Sequence, residues 1–156
     1  MKKLDTLLFA TDFSTGAAHA TEIANTLARL TGAKLHVVHV LTLLETSVYW
    51  QTPMIAAGVD QRRLDEELRT QAEHELGRFV ERYFEDPALG DPLEIERKVV
   101  EARVPFEAII AEAERIGADM IVMGTHGRSG VLRALAGSTA ERVVRHSPVP
   151  VLTSRG

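Results

Sequence analysis

The sequence predicts an α/β protein with a doubly wound, five-stranded parallel sheet flanked by four helices. Two observations carry this prediction. Short apolar runs alternate along the chain with segments of helical periodicity, and glycine or proline stands at most of the junctions between them. The chain has 156 residues, the usual length of one domain, so we expect residues 1–156 to form a single domain.

The first half of the chain is predicted to form strand, helix, strand and helix. Residues 6–10 are a short apolar run, typical of a strand buried on both faces. Ser14 is a suitable N-cap for a helix whose apolar residues recur at helical spacing until Gly32, which ends it. Residues 35–41 predict the second strand, and residues 60–84 predict a long amphipathic helix with a charged outer face.

Two features of this half depart from the simple pattern. Residues 42–59 show no clear periodicity, and we interpret them as a long excursion from the end of the second strand. His36 and His39 interrupt that strand. Because they are three positions apart, they face opposite sides of the sheet and cannot share a metal ion. We interpret both as ordinary sheet positions.

The second half begins with a strand that carries charges. Apolar and charged residues alternate over residues 93–99, which predicts a half-exposed strand near a sheet edge. Pro105 fits the first position of a third helix, and Gly117 fits its end.

The remaining elements are a buried strand, a helix and a final edge strand. We expect the fourth strand at residues 120–123, the fourth helix at 139–146 and the fifth strand at 149–152. Pro150 places the fifth strand at an edge, since proline cannot donate to a ladder on both sides. In such a sheet, ligands bind at the carboxyl ends of the strands, where the strand order reverses.

Composition excludes several classes of function. The net charge is -4 and no basic stretch occurs, so we expect no nucleic-acid partner. Cysteine is absent, which excludes disulfides, thiolate metal sites and cysteine nucleophiles. The apolar runs are far shorter than the ~18 residues of a membrane span, and residues 1–5 lack the pattern of a signal peptide. We therefore expect a cytoplasmic protein without membrane insertion.

A glycine-rich segment, residues 124–139, is the part of the sequence that is most informative about ligand binding. It follows the buried fourth strand and leads into the fourth helix. Glycines let backbone N–H groups approach an anion, and a helix N-terminus at Ser138 adds about half a positive charge. Ser138 and Glu141 also have the spacing of a capping box. The residues alone leave two interpretations open: a nucleotide or anion loop, or a turn followed by a helix cap.

The spacing Gly124-x-x-Gly127, nine residues, then Gly137-Ser138 resembles the ATP-binding signature of the universal stress protein family. The segment 10–14, Ala-Thr-Asp-Phe-Ser, is similar to that family's motif after the first strand, although Ala10 stands where many members have proline. The likeness covers essentially the whole chain and is weakest over residues 42–92. The expected fold is then Rossmann-like, with strand order 3-2-1-4-5.

The resemblance implies a role for individual residues. Val40 would meet adenine through its backbone, Ala10 and Thr11 would line the base pocket, and His126 would lie on the phosphate side. Asp12 would lie near the ribose or near a Mg²⁺ held through the ATP phosphates. The residues expected around ribose and phosphates are Met123, Gly124, Gly127, Arg128, Gly137, Ser138 and Thr139.

The expected function is that of a stress-response regulator that binds ATP, or ADP or AMP, with Mg²⁺ and is read by a regulatory protein partner. The family's mode of assembly implies a homodimer through the last strand, from Val149 to Leu152. No convincing catalytic set is present, since phosphoryl transfer needs a positioned nucleophile as well as a phosphate cradle. The alternatives are a slow ATPase or nucleotidyl-transferring enzyme, and a dimeric interaction module with a structural nucleotide.

Overall fold

A computed structural model describes residues 3–42, 61–125 and 138–155. The strands and α-helices within these ranges are, in chain order, β1 Thr6–Thr11, α1 Thr15–Thr31, β2 Lys34–Thr42, α2 Gln61–Tyr83, β3 Ile95–Ala102, α3 Pro105–Ile116, β4 Met120–Gly124, α4 Ser138–His146 and β5 Val151–Ser154. The five strands form one parallel sheet in the order β3-β2-β1-β4-β5. The predicted fold class and strand order are confirmed.

Two predicted segments fall largely or wholly outside the described residues. Thr42 ends β2, and the rest of the predicted excursion, residues 43–59, lies outside them. The same holds for residues 126–137, which include most of the glycine-rich segment.

Local signals set the ends of α1 and α3 as predicted. The Ser14 hydroxyl accepts a hydrogen bond from the amide of Ala17 at 3.2 Å, and Gly32 ends α1 with a φ of 70°. Pro105 lies in the first turn of α3, where its missing N–H costs nothing. Gly117, with a φ of 64°, ends that helix. These local signals therefore determine the residues at which α1 and α3 begin and end.

The sheet is covered on both faces, so the middle of β1, residues 7–10, is apolar on both faces. Leu7 and Phe9 pack in a cluster with buried residues of α1 and α2, whereas Leu8 and Ala10 pack with those of α3 and α4. The alternation follows from the twofold period of a strand. Each fully buried large apolar side chain contributes roughly 1.5–3 kcal/mol through the hydrophobic effect.

Helix α2 has the predicted amphipathic character. Leu76 and Val80 are buried, while the outer face carries ion pairs such as Arg69–Glu73 at i,i+4 spacing. Its mostly charged exterior suits a helix that lies against the sheet with one side in water. No helix in the described ranges combines the length and apolar surface needed to cross a bilayer.

The two edge strands, β3 and β5, begin later than the sequence pattern predicted. β5 begins at Val151, not at residue 149, because Val149 is held in a turn. The Ser147 hydroxyl accepts from the amide of Val149 at 3.2 Å and donates to the carbonyl of the same residue at 2.8 Å. The carbonyl of Pro150 then accepts from the amide of Ile121 at 2.9 Å, which starts the pairing with β4. Similarly, β3 starts at residue 95 and runs on to Ala102, because β2 offers partners as far as Thr42.

Candidate functional site

A pocket of about 500 Å³ opens at the carboxyl ends of β1, β2 and β4. β1 lies between β2 and β4 in the sheet, so the pocket occupies the point where the strand order reverses. The first turns of α1 and α4 also contribute to its wall, through Ala17 and through Ser138 and Thr139. Helix N-termini carry partial positive charge, so this wall favours an anionic group.

The structure brings most of the predicted site residues together in this pocket. Eight of the twelve predicted contacts line it: Ala10, Thr11, Asp12, Val40, Met123, Gly124, Ser138 and Thr139. The other four, His126, Gly127, Arg128 and Gly137, lie outside the described residues. They belong to a segment whose two flanking residues, Thr125 and Ser138, both line the pocket. That any of the twelve contacts a ligand remains a prediction.

The turn between β1 and α1 presents Asp12 to the pocket. The Thr11 hydroxyl accepts from the amide of Phe13 at 3.0 Å, and the Asp12 Oδ1 accepts from the amide of Ser14 at 3.0 Å. Phe13 adopts a φ of 64°, which is unusual for a residue with a side chain. The Asp12 carboxylate is therefore oriented by its own backbone before any ligand arrives.

Gly124 has a packing role that the sequence did not reveal. A Cβ at this position would lie 2.5 Å from the carbonyl carbon and oxygen of Gly16 and 2.8 Å from the amide nitrogen of Ala17. Any side chain would therefore push α1 away from the end of β4. The expectation that Gly124 serves the approach of a ligand is incomplete, because its absent side chain is already required by the fold.

His39 lines the pocket, so interpreting it as an ordinary sheet position was wrong. Only 8% of its surface is exposed, its Nδ1 lies 2.9 Å from the carbonyl oxygen of Thr11, and its ring stacks on Phe13 with 4.2 Å between centroids. His36 lies on the opposite face of the sheet, with Nδ1 3.6 Å from a carboxylate oxygen of Glu96. The prediction that the two histidines face opposite sides is correct.

The sequence also missed part of the apolar wall. Val38, Pro105 and Ile109 line the pocket beside Val40 and Met123. Pro105 and Ile109 belong to α3, which follows β3 in the chain and comes to the pocket only through the folding of the sheet. The apolar residues and the two helix N-termini of this pocket suit a ligand that has a flat apolar part and an anionic part.

The fold and the pocket define an open α/β protein with a ligand site at the reversal of strand order. The universal stress protein family model matches residues 3–155, and the chain belongs to this family. It is 34% identical over 150 residues to a universal stress protein of Thermus aquaticus, a match that covers 96% of this chain and 98% of that protein.

Solved structures agree with the fold. The structure of protein MJ0577, whose sequence is that of a universal stress protein from Methanocaldococcus jannaschii, has a TM-score of 0.78 at 24% identity and covers 99% of this chain and 98% of its own. A universal stress protein in complex with cAMP has a TM-score of 0.65 at 23% identity, covering 99% and 98%. A universal stress protein of Archaeoglobus fulgidus in complex with dAMP has a TM-score of 0.61 at 21% identity, covering 97% and 98%.

Proposed function

We propose that this chain binds an adenine nucleotide, ATP or its products ADP and AMP, and acts in the cytoplasm as a nucleotide-dependent regulator of the stress response. The observation that carries the proposal is the pocket of about 500 Å³ at the reversal of strand order. Its volume lies within the roughly 300–1,000 Å³ usual for sites that bind small organic ligands. In this role the nucleotide changes the shape or assembly of the protein, and a partner protein reads that state.

The lining of the pocket supports a nucleotide rather than a simple anion. Val38, Val40 and Ile109 form an apolar wall that suits the flat faces of a base. Ser138 and Thr139 place the N-terminus of α4 on the same pocket, where it suits phosphate. In the proposal, His126, Gly127, Arg128 and Gly137 complete the phosphate contacts, since the described residues on either side of their segment, Thr125 and Ser138, line the pocket.

The ligands of two solved universal stress proteins favour adenine as the base. Two proteins with this fold were solved with cAMP and with dAMP, and adenine is the base of both ligands. The family membership of the chain rests on its sequence as well as on its fold. Both points support the choice of ATP, ADP and AMP as the ligands to test.

The residues of the pocket fit a Mg²⁺ that arrives with the nucleotide. Asp12 offers one carboxylate, oriented by its hydrogen bond from the amide of Ser14. Within the described ranges, no group of three or more His, Cys, Asp or Glu residues could hold a metal without help. Phosphate oxygens and water would complete the coordination, as is usual for Mg²⁺. Such an ion would neutralise phosphate charge, and Asp12 would fix its place at the end of β1.

A charge reversal at the first turn of α4 tests the proposal. Ser138 is exposed and lines the pocket, so Ser138→Glu adds a carboxylate where phosphate is expected without filling the core. An acidic residue in the first turn of a helix is itself mildly stabilising, so the variant should fold. Thr26→Glu is the matched control, since Thr26 is exposed on α1 and its carboxylate would lie roughly 16 Å along the helix from Thr15.

The measurement is calorimetric binding of Mg-ATP, ADP and AMP after co-purified nucleotide has been removed. We expect wild type and Thr26→Glu to bind with micromolar affinity and Ser138→Glu to bind at least about tenfold more weakly, a loss of about 1.4 kcal/mol. No binding by the folded wild type would reject the proposal. Product formation in large excess over protein during overnight incubation would replace it with an ATPase.

We also propose that the chain forms a homodimer through its last strand. β5 pairs with β4 and lies at the end of the sheet order. An edge strand left open invites association with another chain, and pairing with a second copy across a twofold axis removes that edge. The predicted segment from Val149 to Leu152 overlaps β5 at Val151 and Leu152.

A further inference from the structure

The turn that carries Asp12 depends on a residue outside the pocket. Phe13 follows Asp12 and is the only non-glycine residue with positive φ in the described part of the chain. A left-handed backbone is unfavourable for a residue with a Cβ, so surrounding contacts must hold Phe13 in place. Its side chain does not line the pocket, whereas both Thr11 and Asp12 do.

Two aromatic contacts hold Phe13. Its ring stacks on His39, with 4.2 Å between centroids and 25° between planes. It also packs on Phe79 of α2, with 5.8 Å between centroids and a tilt of 57°. Phe79 is 7% exposed and belongs to the main core cluster. The Phe13 ring is thus fixed between the carboxyl end of β2 and the body of α2.

His39 holds the same turn from its other end. Its Nδ1 lies 2.9 Å from the carbonyl oxygen of Thr11. Because a carbonyl oxygen only accepts, Nδ1 carries the hydrogen and donates it. The ring therefore fixes Thr11 through a hydrogen bond and Phe13 through stacking. Asp12 lies between these two fixed residues.

We propose that Phe13 and His39 are positioning residues that hold the Asp12 carboxylate toward the phosphate side of the pocket. The inference rests on the proposed binding of a nucleotide. Neither residue needs to touch the nucleotide, because each acts through the backbone of the turn. The alternative is that both rings only fill the core, in which case their loss lowers stability and leaves the contribution of Asp12 unchanged.

Three variants separate these alternatives. Phe13→Leu keeps apolar volume and removes the flat ring that stacks on His39. His39→Phe keeps an aromatic ring for stacking and removes the hydrogen bond to Thr11. Phe84→Leu is the matched control, because Phe84 is buried in the same cluster and contacts Phe9 and Phe79, not the turn. If Phe13→Leu fails to fold, His39→Phe still decides.

The first measurement needs no nucleotide. The amide of Ser14 donates to Asp12 Oδ1, so its hydrogen-exchange rate reports whether the carboxylate keeps its place. We expect Phe13→Leu and His39→Phe to speed this exchange by at least about tenfold relative to Phe84→Leu. Unchanged protection of Ser14 would overturn the proposal.

The second measurement is a double-mutant cycle with Asp12→Asn, which removes the charge and keeps a side-chain oxygen for the turn. We expect Phe13→Leu and His39→Phe to weaken Mg-ATP binding about tenfold in the Asp12 background and less than about twofold in the Asp12→Asn background. Equal losses in both backgrounds would overturn the proposal, whatever the exchange rate. If wild type binds no nucleotide, the proposed function fails, and Ser14 exchange alone decides whether the two rings position Asp12.

Discussion

Gly124, the last residue of β4, lies against Gly16 in the first turn of α1 with no room for a side chain at position 124. A Cβ there would lie 2.5 Å from the carbonyl carbon and oxygen of Gly16, and the opposing atoms are backbone rather than a movable side chain. The helix α1 and the strand β4 flank the pocket at this contact. The close approach therefore sets the distance between two walls of the candidate site.

We expect Gly124→Ala to lower the free energy of unfolding by at least about 2 kcal/mol, because the added methyl group must displace α1. Urea unfolding measures the change. Gly77→Ala is the matched control. Gly77 lies inside helix α2, and a Cβ there would approach only the Arg97 side chain, 3.4 Å away. We expect it to be neutral or to stabilise by up to about 1 kcal/mol through helix propensity. Equal effects of the two substitutions would refute the packing role of Gly124.

This contact also limits how the site can be tested. A glutamate at position 124 would repel phosphate, but it would first collide with α1, so lost binding would not distinguish a damaged site from a damaged fold. Ser138 is a better position because it is exposed in the first turn of α4. The charge-reversal test of phosphate binding therefore belongs at Ser138 rather than at Gly124.

The sequence predicted the features that depend on local signals. The caps at Ser14 and Gly32, the proline at the start of α3 and the apolar runs of the strands are each encoded within a few residues. Strand order followed from the alternation of elements together with the family resemblance. The predicted pocket residues at the ends of β1 and β4 come together because carboxyl ends of parallel strands share one edge.

The contacts that the sequence did not predict join distant elements. His39 stacks on Phe13 from the neighbouring strand, and nothing in the local pattern of β2 distinguishes it from a simple sheet position. The collision that a side chain at position 124 would cause depends on where α1 crosses β4. Glu112 is buried on α3, although the apolar pattern of that helix gave no reason to expect a charged side chain in the interior.

Glu112 is held by two cations. Its carboxylate accepts from Lys98 Nζ at 3.0 and 3.2 Å and from Arg115 Nε and Nη2 at 2.9 and 2.6 Å. The hydrogen bonds from Arg115 lower the pKa of Glu112 most, and Lys98 adds to them, while burial opposes both. A carboxyl whose pKa is lower in the folded state contributes stability above its unfolded pKa, and this is lost as pH falls through the folded value.

We therefore expect the wild type to lose stability as the pH falls below the ordinary glutamate value of 4.5, and Glu112→Gln to lose less over the same range. At neutral pH, Glu112→Gln should cost about 1 kcal/mol, a modest amount because both cations are about half exposed. Urea unfolding at neutral pH and at about pH 3.5 gives both quantities. Glu114→Gln, at an exposed position of the same helix, is the control. Parallel pH profiles for wild type and Glu112→Gln would contradict the assignment.

The proposed dimer can be tested at a single backbone group of β5. The carbonyl of Pro150 accepts from the amide of Ile121 in β4, and the carbonyl of Ser154 accepts from the amide of Thr125, the residue after β4. Backbone groups alternate in direction along a strand, so the N–H of Thr153, between these positions, points toward the open edge. Thr153→Pro removes this donor, and its restriction of the preceding residue to extended backbone suits a strand.

We expect wild type and Thr153→Val, which keeps the N–H, to sediment as dimers at tens of micromolar. Thr153→Pro should sediment as a folded monomer, because its ladder to β4 is intact while the edge that would pair with a second copy has lost a donor and gained a bulky ring. Circular dichroism confirms that the fold is kept. A dimeric Thr153→Pro would place the interface elsewhere on the molecule, and a monomeric wild type would show that the exposed edge of β5 is tolerated without a partner.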